Sequence, residues 1–159
     1  MLFDPKQEQY LGRLEAQLRR AQALTQELIS DVLAEACIRF ATRGSTAKFR
    51  IDRLIESGAW TDAALALVEL ELPHWKLRRM LYEDGEWHCY LSKQPQLPIG
   101  FDEVAEGSHE ILALAILIAL LQARRDAAVS TPAVSTTGVT AVPQVGAVAG
   151  YAMCCDNFS

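Results

Sequence analysis

The sequence predicts an α+β fold that is mostly helical. We expect a long amino-terminal helix, two short helices, one antiparallel β-hairpin, a buried carboxy-terminal helix and a disordered tail. Three observations carry this prediction. Apolar residues recur about every 3.6 residues from Leu11 to Phe40, which is the α-helical period. The turn sequence Glu83-Asp84-Gly85 separates two segments rich in aromatic and aliphatic residues, and an apolar run extends from Ile111 to Leu121.

Composition limits the class of protein. The chain has 159 residues, of which 50% are hydrophobic and 22% charged, close to the average of globular domains. These values exclude collagen-like, mucin-like and fully disordered chains. The formal net charge of −5 argues against a surface that binds nucleic acid or anionic lipid over its whole extent, because such partners select clustered Lys and Arg.

The distribution of charge divides the chain. Residues 127–159 contain a single charged side chain, Asp156, among small and apolar residues. Such side chains bury too little surface to offset the backbone entropy of ordering. We therefore divide the chain into a long amphipathic helix over 1–44, a helix-turn-helix, β-hairpin and carboxy-terminal helix over 45–126, and a low-complexity tail over 127–159 that is predicted to be disordered.

The first helix begins at Asp4-Pro5, where Asp caps the helix and Pro occupies its first turn. If unbroken to Thr42 it would be roughly 57 Å long, which exceeds the width of a compact domain of this size. It must therefore break, bend or protrude, and its stripe is weakest near Leu24 and Thr25. A protruding helix needs a partner, which favours a coiled coil between two copies. The candidate self-association residues are Leu11, Leu14, Leu18, Leu28 and Val32.

Two short helices follow. The first starts after Gly44 and ends at Ser57, and the second runs from about Thr61 to the break at Pro73. Gly58 marks a tight turn between them.

The hairpin has two alternative registers. A two-residue Asp84-Gly85 turn would place Glu83 opposite Glu86 and Lys76 opposite Lys93, both pairs of like charge. We therefore favour a three-residue loop with a left-handed Gly85. That register sets Leu81 opposite Trp87, Arg79 opposite Cys89 and Leu77 opposite Leu91, and it gathers Trp75, Leu77, Leu81, Trp87 and Leu91 on the core face.

On the other face of the hairpin, the favoured register places Met80 beside His88 and Arg78 beside Tyr90 as a cation–π pair. A final helix is predicted from near Asp102 to about Arg125, with an interruption at Gly107-Ser108.

The order of helix, tight turn, helix and basic hairpin resembles a winged helix-turn-helix. However, the helix that would enter the major groove carries Asp62, Glu69 and Glu71 and has no Arg, Lys, Asn or Gln. Base edges are read by those missing side chains, and carboxylates repel phosphates. Nucleic acid is therefore a disfavoured partner. The candidate phosphate contacts are Arg43, Lys48, Arg50, Lys76, Arg78 and Arg79.

Catalytic and metal sites find little support. Glu106-x-x-His109 has the spacing of a di-iron helix, but such a site needs a second Glu-x-x-His, and the chain has one. Cys37 and Cys89 fit buried positions, and no nucleophile lies in a recognised motif. We assign no catalytic, cofactor-binding or metal-ligating residue, and we expect a protein that is not an enzyme.

Location follows from the amino terminus and the thiols. Asp4 stands where a secretory signal would be basic, and the apolar run 111–121 is about half the length of a membrane span. The four cysteines have no disulfide or zinc spacing. We therefore expect reduced thiols, a cytoplasmic location and no membrane.

Two stretches carry a resemblance. FRIDRLIESGAWTDAALALVELELPHWKLRRMLYEDGEWHCYLSKQPQLP over 49–98 and SHEILALAILIALLQARR over 108–125 resemble small uncharacterised proteins of rhizobial alphaproteobacteria. That group has no established activity. The resemblance implies a bacterial cytoplasmic origin and a domain that ends near Arg125, and it transfers no functional residue.

The sequence thus predicts a non-enzymatic, self-associating interaction or regulatory module, with itself as a homodimer or another protein as partner. The alternative is a winged helix-turn-helix DNA-binding regulator.

Overall fold

A computed structural model describes residues 4–42 and 44–129. It is α+β and mostly helical, which confirms the predicted fold class. The helices in the described part of the chain are α1 (Pro5–Arg20), α2 (Gln26–Ala36), α3 (Ile38–Thr42), α4 (Ser45–Glu56), α5 (Trp60–Glu71) and α6 (Leu112–Val129). The strands are β1 (Lys76–Glu83), β2 (Glu86–Ser92) and β3 (Val104–His109), and a 3₁₀ turn spans Ile99–Phe101.

The predicted long helix is broken into α1, α2 and α3. Asp4 caps α1 as expected, since its carboxylate accepts from the backbone N–H of Lys6 at 3.0 Å. The break falls at the weak part of the stripe, where Thr25 starts α2 by accepting from the N–H of Leu28 at 3.2 Å. A straight helix over residues 5–42 is therefore wrong, because a local capping side chain offers the backbone an alternative at residues 21–25.

The apolar stripe of these helices lies in the core of the same chain. Leu11, Leu14, Leu18 and Val32 are buried, and Leu28 is half-buried against them. Helix α1 packs on both α2 and α6. Because the stripe is covered from within, it gives no reason to invoke a coiled coil with a second copy.

Helix α6 is the centre of the fold. Every residue from Ala113 to Leu121 is buried, and the helix packs against α1, α5, β2 and β3. The prediction that the final helix begins near Asp102 is wrong, because Val104–His109 form β3 and α6 begins at Leu112. Gly107 lies inside β3 where the backbone of α6 crosses so closely that an added Cβ would be 2.2 Å from the carbonyl oxygen of Ala115.

The hairpin turn is the two-residue form that the sequence disfavoured. Asp84 and Gly85 have φ of 53° and 87°, and Glu83 pairs with Glu86. Both glutamates are exposed, so water screens their repulsion. A β-bulge at Arg78 then shifts the register, which restores the predicted pairing of Leu77 with Leu91.

The shift also sets Lys76 opposite Ser92 and removes the predicted clash with Lys93. Nearer the turn, the predicted pairs Leu81–Trp87 and Arg79–Cys89 are wrong. Leu81 faces His88 there, and Cys89 faces Met80.

The sheet has the order β1-β2-β3, and α6 covers the face that carries Cys89 and Leu91. Leu77 is 41% exposed on β1, at the edge of the sheet. The predicted Arg78–Tyr90 contact is replaced by two separate ones. Arg78 donates to the carbonyl of Leu97 at 2.8 Å, whereas the Tyr90 hydroxyl donates to Glu106 at 3.0 Å.

The carboxy-terminal boundary differs slightly from its prediction. Helix α6 continues to Val129, so the first residues of the predicted tail belong to it. The remainder of that tail, 130–159, lies outside the described residues. None of the described helices is long and apolar enough to cross a membrane.

Candidate functional site

A cavity of about 460 Å³ opens where the start of α1, the start of α3, the segment between α5 and β1 and the end of α6 meet. Its apolar lining includes Leu11, Ile38, Leu72 and Trp75. The polar side chains that line it are Asp4, Gln7, Glu8, Arg39, Glu71, His74, Lys93, Arg124 and Arg125. This volume lies within the range of small-molecule sites.

Glu71 organises one wall of the cavity. Its side chain is 0% exposed, and its carboxylate accepts from the backbone N–H groups of Phe40 at 2.6 Å and Arg39 at 3.2 Å. Those amides lie in the first turn of α3, so Glu71 caps that short helix. Arg124 from α6 completes the set with a 3.4 Å contact to Glu71. Three segments distant in the sequence therefore meet at one carboxylate.

A second buried carboxylate binds Arg125, which also lines the cavity. Glu15 of α1 accepts from Arg125 at 2.6 Å and from Arg19 at 2.8 Å. Arg125 passes directly over Gly12, where a Cβ would lie 2.7 Å from its guanidinium. The Nε of Arg125 is buried without a hydrogen-bond partner in the described structure. Because Gly12 has no side chain, there is room for the Arg125 guanidinium, whose ion pair with Glu15 connects α6 to α1.

Sequence reasoning missed both carboxylates, although their spacing contains the signal. Glu71 is four residues after Leu67, and Glu15 is four residues after Leu11, so each shares a helix face with a core leucine. An acidic residue on an apolar face is costly unless it has partners. The winged-helix interpretation instead places Glu71 on the helix that would face DNA.

A third polar cluster surrounds Asp102, just before β3. Its carboxylate is covered from solvent and accepts from the Arg78 guanidinium, the Ser92 hydroxyl and the Gln94 backbone N–H. Desolvation pulls the pKa of Asp102 upward, but the hydrogen bonds from Ser92, Arg78 and Gln94 outweigh it and hold the pKa below its usual value. The Arg78 guanidinium therefore connects β1 to the segment before β3 through its contacts with Asp102 and Leu97.

The other candidate phosphate contacts do not form one described site. Lys48 and Arg50 are exposed on α4, and Lys76 and Arg79 are exposed on β1. Arg43 lies outside the described residues. Helix α5, which would read DNA in a winged helix, packs against α3, α4 and α6, and its fully exposed residues are Asp62 and Glu69.

The two residues of the Glu106-x-x-His109 spacing do not lie side by side. Glu106 and His109 lie on a strand and not a helix, so their side chains emerge on opposite faces. Glu106 faces Tyr90 and His88, whereas the Nδ1 of His109 accepts from the backbone N–H of Ile111 at 2.9 Å. Across the described residues, no group of three or more His, Cys, Asp or Glu side chains has the arrangement of a metal site.

The two described cysteines are buried thiols, as expected. Burial raises the pKa of Cys37 to about 12, and the negative charge of Glu71 adds to the effect while Arg124 opposes it. Burial alone raises the pKa of Cys89 to about 11. Thiols with such pKa values are protonated at neutral pH and are poor nucleophiles.

The Tyr90, His88 and Glu106 side chains form a polar group on the face of the sheet away from α6. Partial burial raises the pKa of Tyr90, and its hydrogen bond to Glu106 raises it further. The Nδ1 of His88 lies 3.4 Å from the same carboxylate.

Comparison of the chain with family models, with curated proteins and with solved structures finds no match.

Proposed function

We propose that the chain is a non-enzymatic interaction module that self-associates as a homodimer through the edge strand β1. The observation that carries the proposal is the position of this strand. Within the described part of the chain, β1 pairs only with β2, so one side of its backbone has no strand beside it. Unpaired strand edges are ready templates for another chain. Tyr82 on this strand is 59% exposed.

The sequence of β1 favours a second copy as the partner. In a two-fold symmetric antiparallel pair, one residue lies opposite itself and the others pair about it. Centred on Leu81, this pairing sets Arg79 opposite Glu83 of the second copy, twice, and Met80 opposite Tyr82 of the second copy, twice. Charge and apolar side chains are complementary at every position from 79 to 83.

Neighbouring registers are worse. Centring on Arg79 places two guanidinium groups opposite each other, and centring on Met80 places Arg79 opposite Leu81. The bulge at Arg78 ends the regular strand just before the complementary segment, so it limits the ladder to five residues and fixes the register.

A charge exchange tests this proposal. Arg79→Glu alone and Glu83→Arg alone each place like charges opposite one another and should raise the dimer dissociation constant by about tenfold. The double variant, with both substitutions, reverses every pair and should restore the dimer. Glu69→Arg, at an exposed position on α5, is the matched control and should leave the dimer unchanged. Failure of the double variant to restore what the single variants lose would refute the register.

Winged-helix DNA binding stays as a second candidate, supported by one observation. Lys48, Arg50, Lys76 and Arg79 are exposed, and none forms an ion pair with another described residue. Binding of a DNA duplex should then weaken steeply with salt and be lost with Lys76→Ala combined with Arg79→Ala. Binding that ignores both changes would exclude this function.

A bacterial cytoplasmic setting belongs to the same proposal. The resemblance to rhizobial proteins supports the origin, and the unpaired buried thiols of Cys37 and Cys89 suit a reducing compartment.

A further inference from the structure

We propose that the cavity between α1, α3 and α6 binds a small monocarboxylate with an apolar body. Its carboxylate is bound by Arg39 and Arg124, and its body lies against Trp75 and Leu72. This inference is independent of the dimer, because none of the cavity residues lies in the complementary segment of β1.

Arg39 is the one Arg or Lys side chain in the cavity lining that has no ion pair with a carboxylate among the described residues. Glu71 is already engaged by two backbone amides and by Arg124, and Arg125 is paired with Glu15. Lys93 is paired with Glu103 at 2.5 Å. Arg39 has no ion pair with any described residue, although it lines the cavity and is only half-exposed. The Arg39 guanidinium is therefore without an ion-pair partner among the described residues.

The Arg124 guanidinium has more hydrogen-bond donors than the described residues use. A guanidinium presents five N–H donors, and Arg124 directs only one of its nitrogens to a described partner, at the long distance of 3.4 Å. Its side chain is 17% exposed and lines the cavity. The two oxygens of a carboxylate can accept two parallel N–H hydrogen bonds from one guanidinium group.

The apolar part of the cavity lining consists largely of buried side chains. Leu11, Leu72 and Trp75 are each almost fully buried and still line the cavity. The ammonium group of Lys93 lies 5.1 Å from the centre of the Trp75 ring, which fixes one face of that indole. An apolar ligand body against this wall would remove further apolar surface from water.

The remaining charges select the class of anion. Asp4 and Glu8 are exposed on the first turn of α1 at the rim of the cavity. They repel anions, and they repel a phosphate dianion about twice as strongly as a monocarboxylate. His74 is exposed at the same rim. The site therefore fits one negative charge with an apolar body and disfavours nucleotides and sugar phosphates.

The test uses phenylbutyrate as the probe, with calorimetry on the full chain and NMR of the Trp75 indole N–H. Binding is expected with a dissociation constant below about 1 mM. Arg39→Gln should weaken it by about tenfold or more, since a hydrogen-bonded charge is lost. The substitution keeps the backbone N–H that Glu71 accepts, so α3 keeps its cap. Arg50→Gln, which removes the same charge on α4 away from the cavity, should have no effect.

Two further ligands sharpen the result. Phenylbutanol, which lacks the charge, and phenyl phosphate, which carries two charges, should both bind more weakly than phenylbutyrate. The proposal is overturned if either binds as tightly, if Arg39→Gln leaves affinity unchanged, if Arg50→Gln weakens it equally, or if phenylbutyrate shows no binding and no Trp75 shift at about 10 mM.

Discussion

Replacing Gly107 with alanine should damage the contact on which the fold depends most. Gly107 is in the middle of β3, and the backbone of α6 passes directly over it. A Cβ there would lie 2.2 Å from the carbonyl oxygen of Ala115 and 2.4 Å from the amide nitrogen of Ala119. Both obstacles are main-chain atoms of a buried helix, so neither can turn aside as a side chain would.

The size of the effect follows from these distances. Ordinary contacts of a Cβ begin near 3.4 Å, so strand and helix must separate by roughly 1 Å at this point. Overpacking of a tight core costs about 1 to 3 kcal/mol, and rigid backbone on both sides favours the upper end. The φ of Gly107 is not in the left-handed region, so no backbone strain is added. We expect the free energy of unfolding to fall by about 3 kcal/mol.

Urea denaturation followed by circular dichroism measures this change. With a slope of about 1.5 kcal/mol per molar urea, the midpoint should fall by about 2 M. Gly100→Ala is the matched control, because nothing lies within 4 Å of its added Cβ, and its midpoint should stay close to that of the unchanged protein. If the two variants unfold at the same urea concentration, the close packing of β3 on α6 is refuted.

Three further predictions address the polar groups. Glu71→Gln should lower the free energy of unfolding by about 3 kcal/mol in the same urea assay, because it leaves the Arg124 guanidinium without its carboxylate, and an unchanged midpoint would contradict the importance of this ion pair. The lowered pKa of Asp102 adds stability that is present above its unfolded pKa of about 3.9 and is lost as the pH falls through the lower folded pKa. Asp102→Asn should therefore flatten this acid loss in urea titrations below about pH 4, and identical profiles for the two proteins would refute the linkage. Cys37 and Cys89, with pKa values raised to about 12 and about 11, should resist iodoacetamide in the native protein and react after unfolding, as read by peptide mass mapping; equal labelling in both states would disprove their burial.

Local signals in the sequence predicted much of the secondary structure. The cap of α1, the approximate bounds of α4 and α5 and the existence of the hairpin depend on neighbouring residues, and the structure has these features close to their predicted positions. The break between α1 and α2 was also foreseen as one of three outcomes, since the stripe weakens there. Each of these features is determined by residues that lie only a few positions apart in the sequence.

Features that depend on tertiary contact were missed. Strand β3 has only six residues, and one of them is Gly107. Because Gly107 has no side chain, the backbone of α6 can pack directly against it. The register near the turn was misjudged because the bulge at Arg78 is stabilised by Asp102, which is distant in sequence.

The cavity could not be predicted for a related reason. Its walls come from four separated segments, and Glu71 and Glu15 join them only in the folded chain. Their spacing on apolar helix faces indicated burial but not the partners.

Light scattering on size-separated protein tests the central claim, which is that two copies pair through β1. The chain has a mass of 17.6 kDa, so the unchanged protein should give about twice that value. The variant carrying both Arg79→Glu and Glu83→Arg should give the dimer mass, whereas each single variant should already dissociate to the monomer at a higher protein concentration than the unchanged protein does. A monomer mass for the unchanged protein, or the same mass for all four proteins at every concentration, would contradict the account.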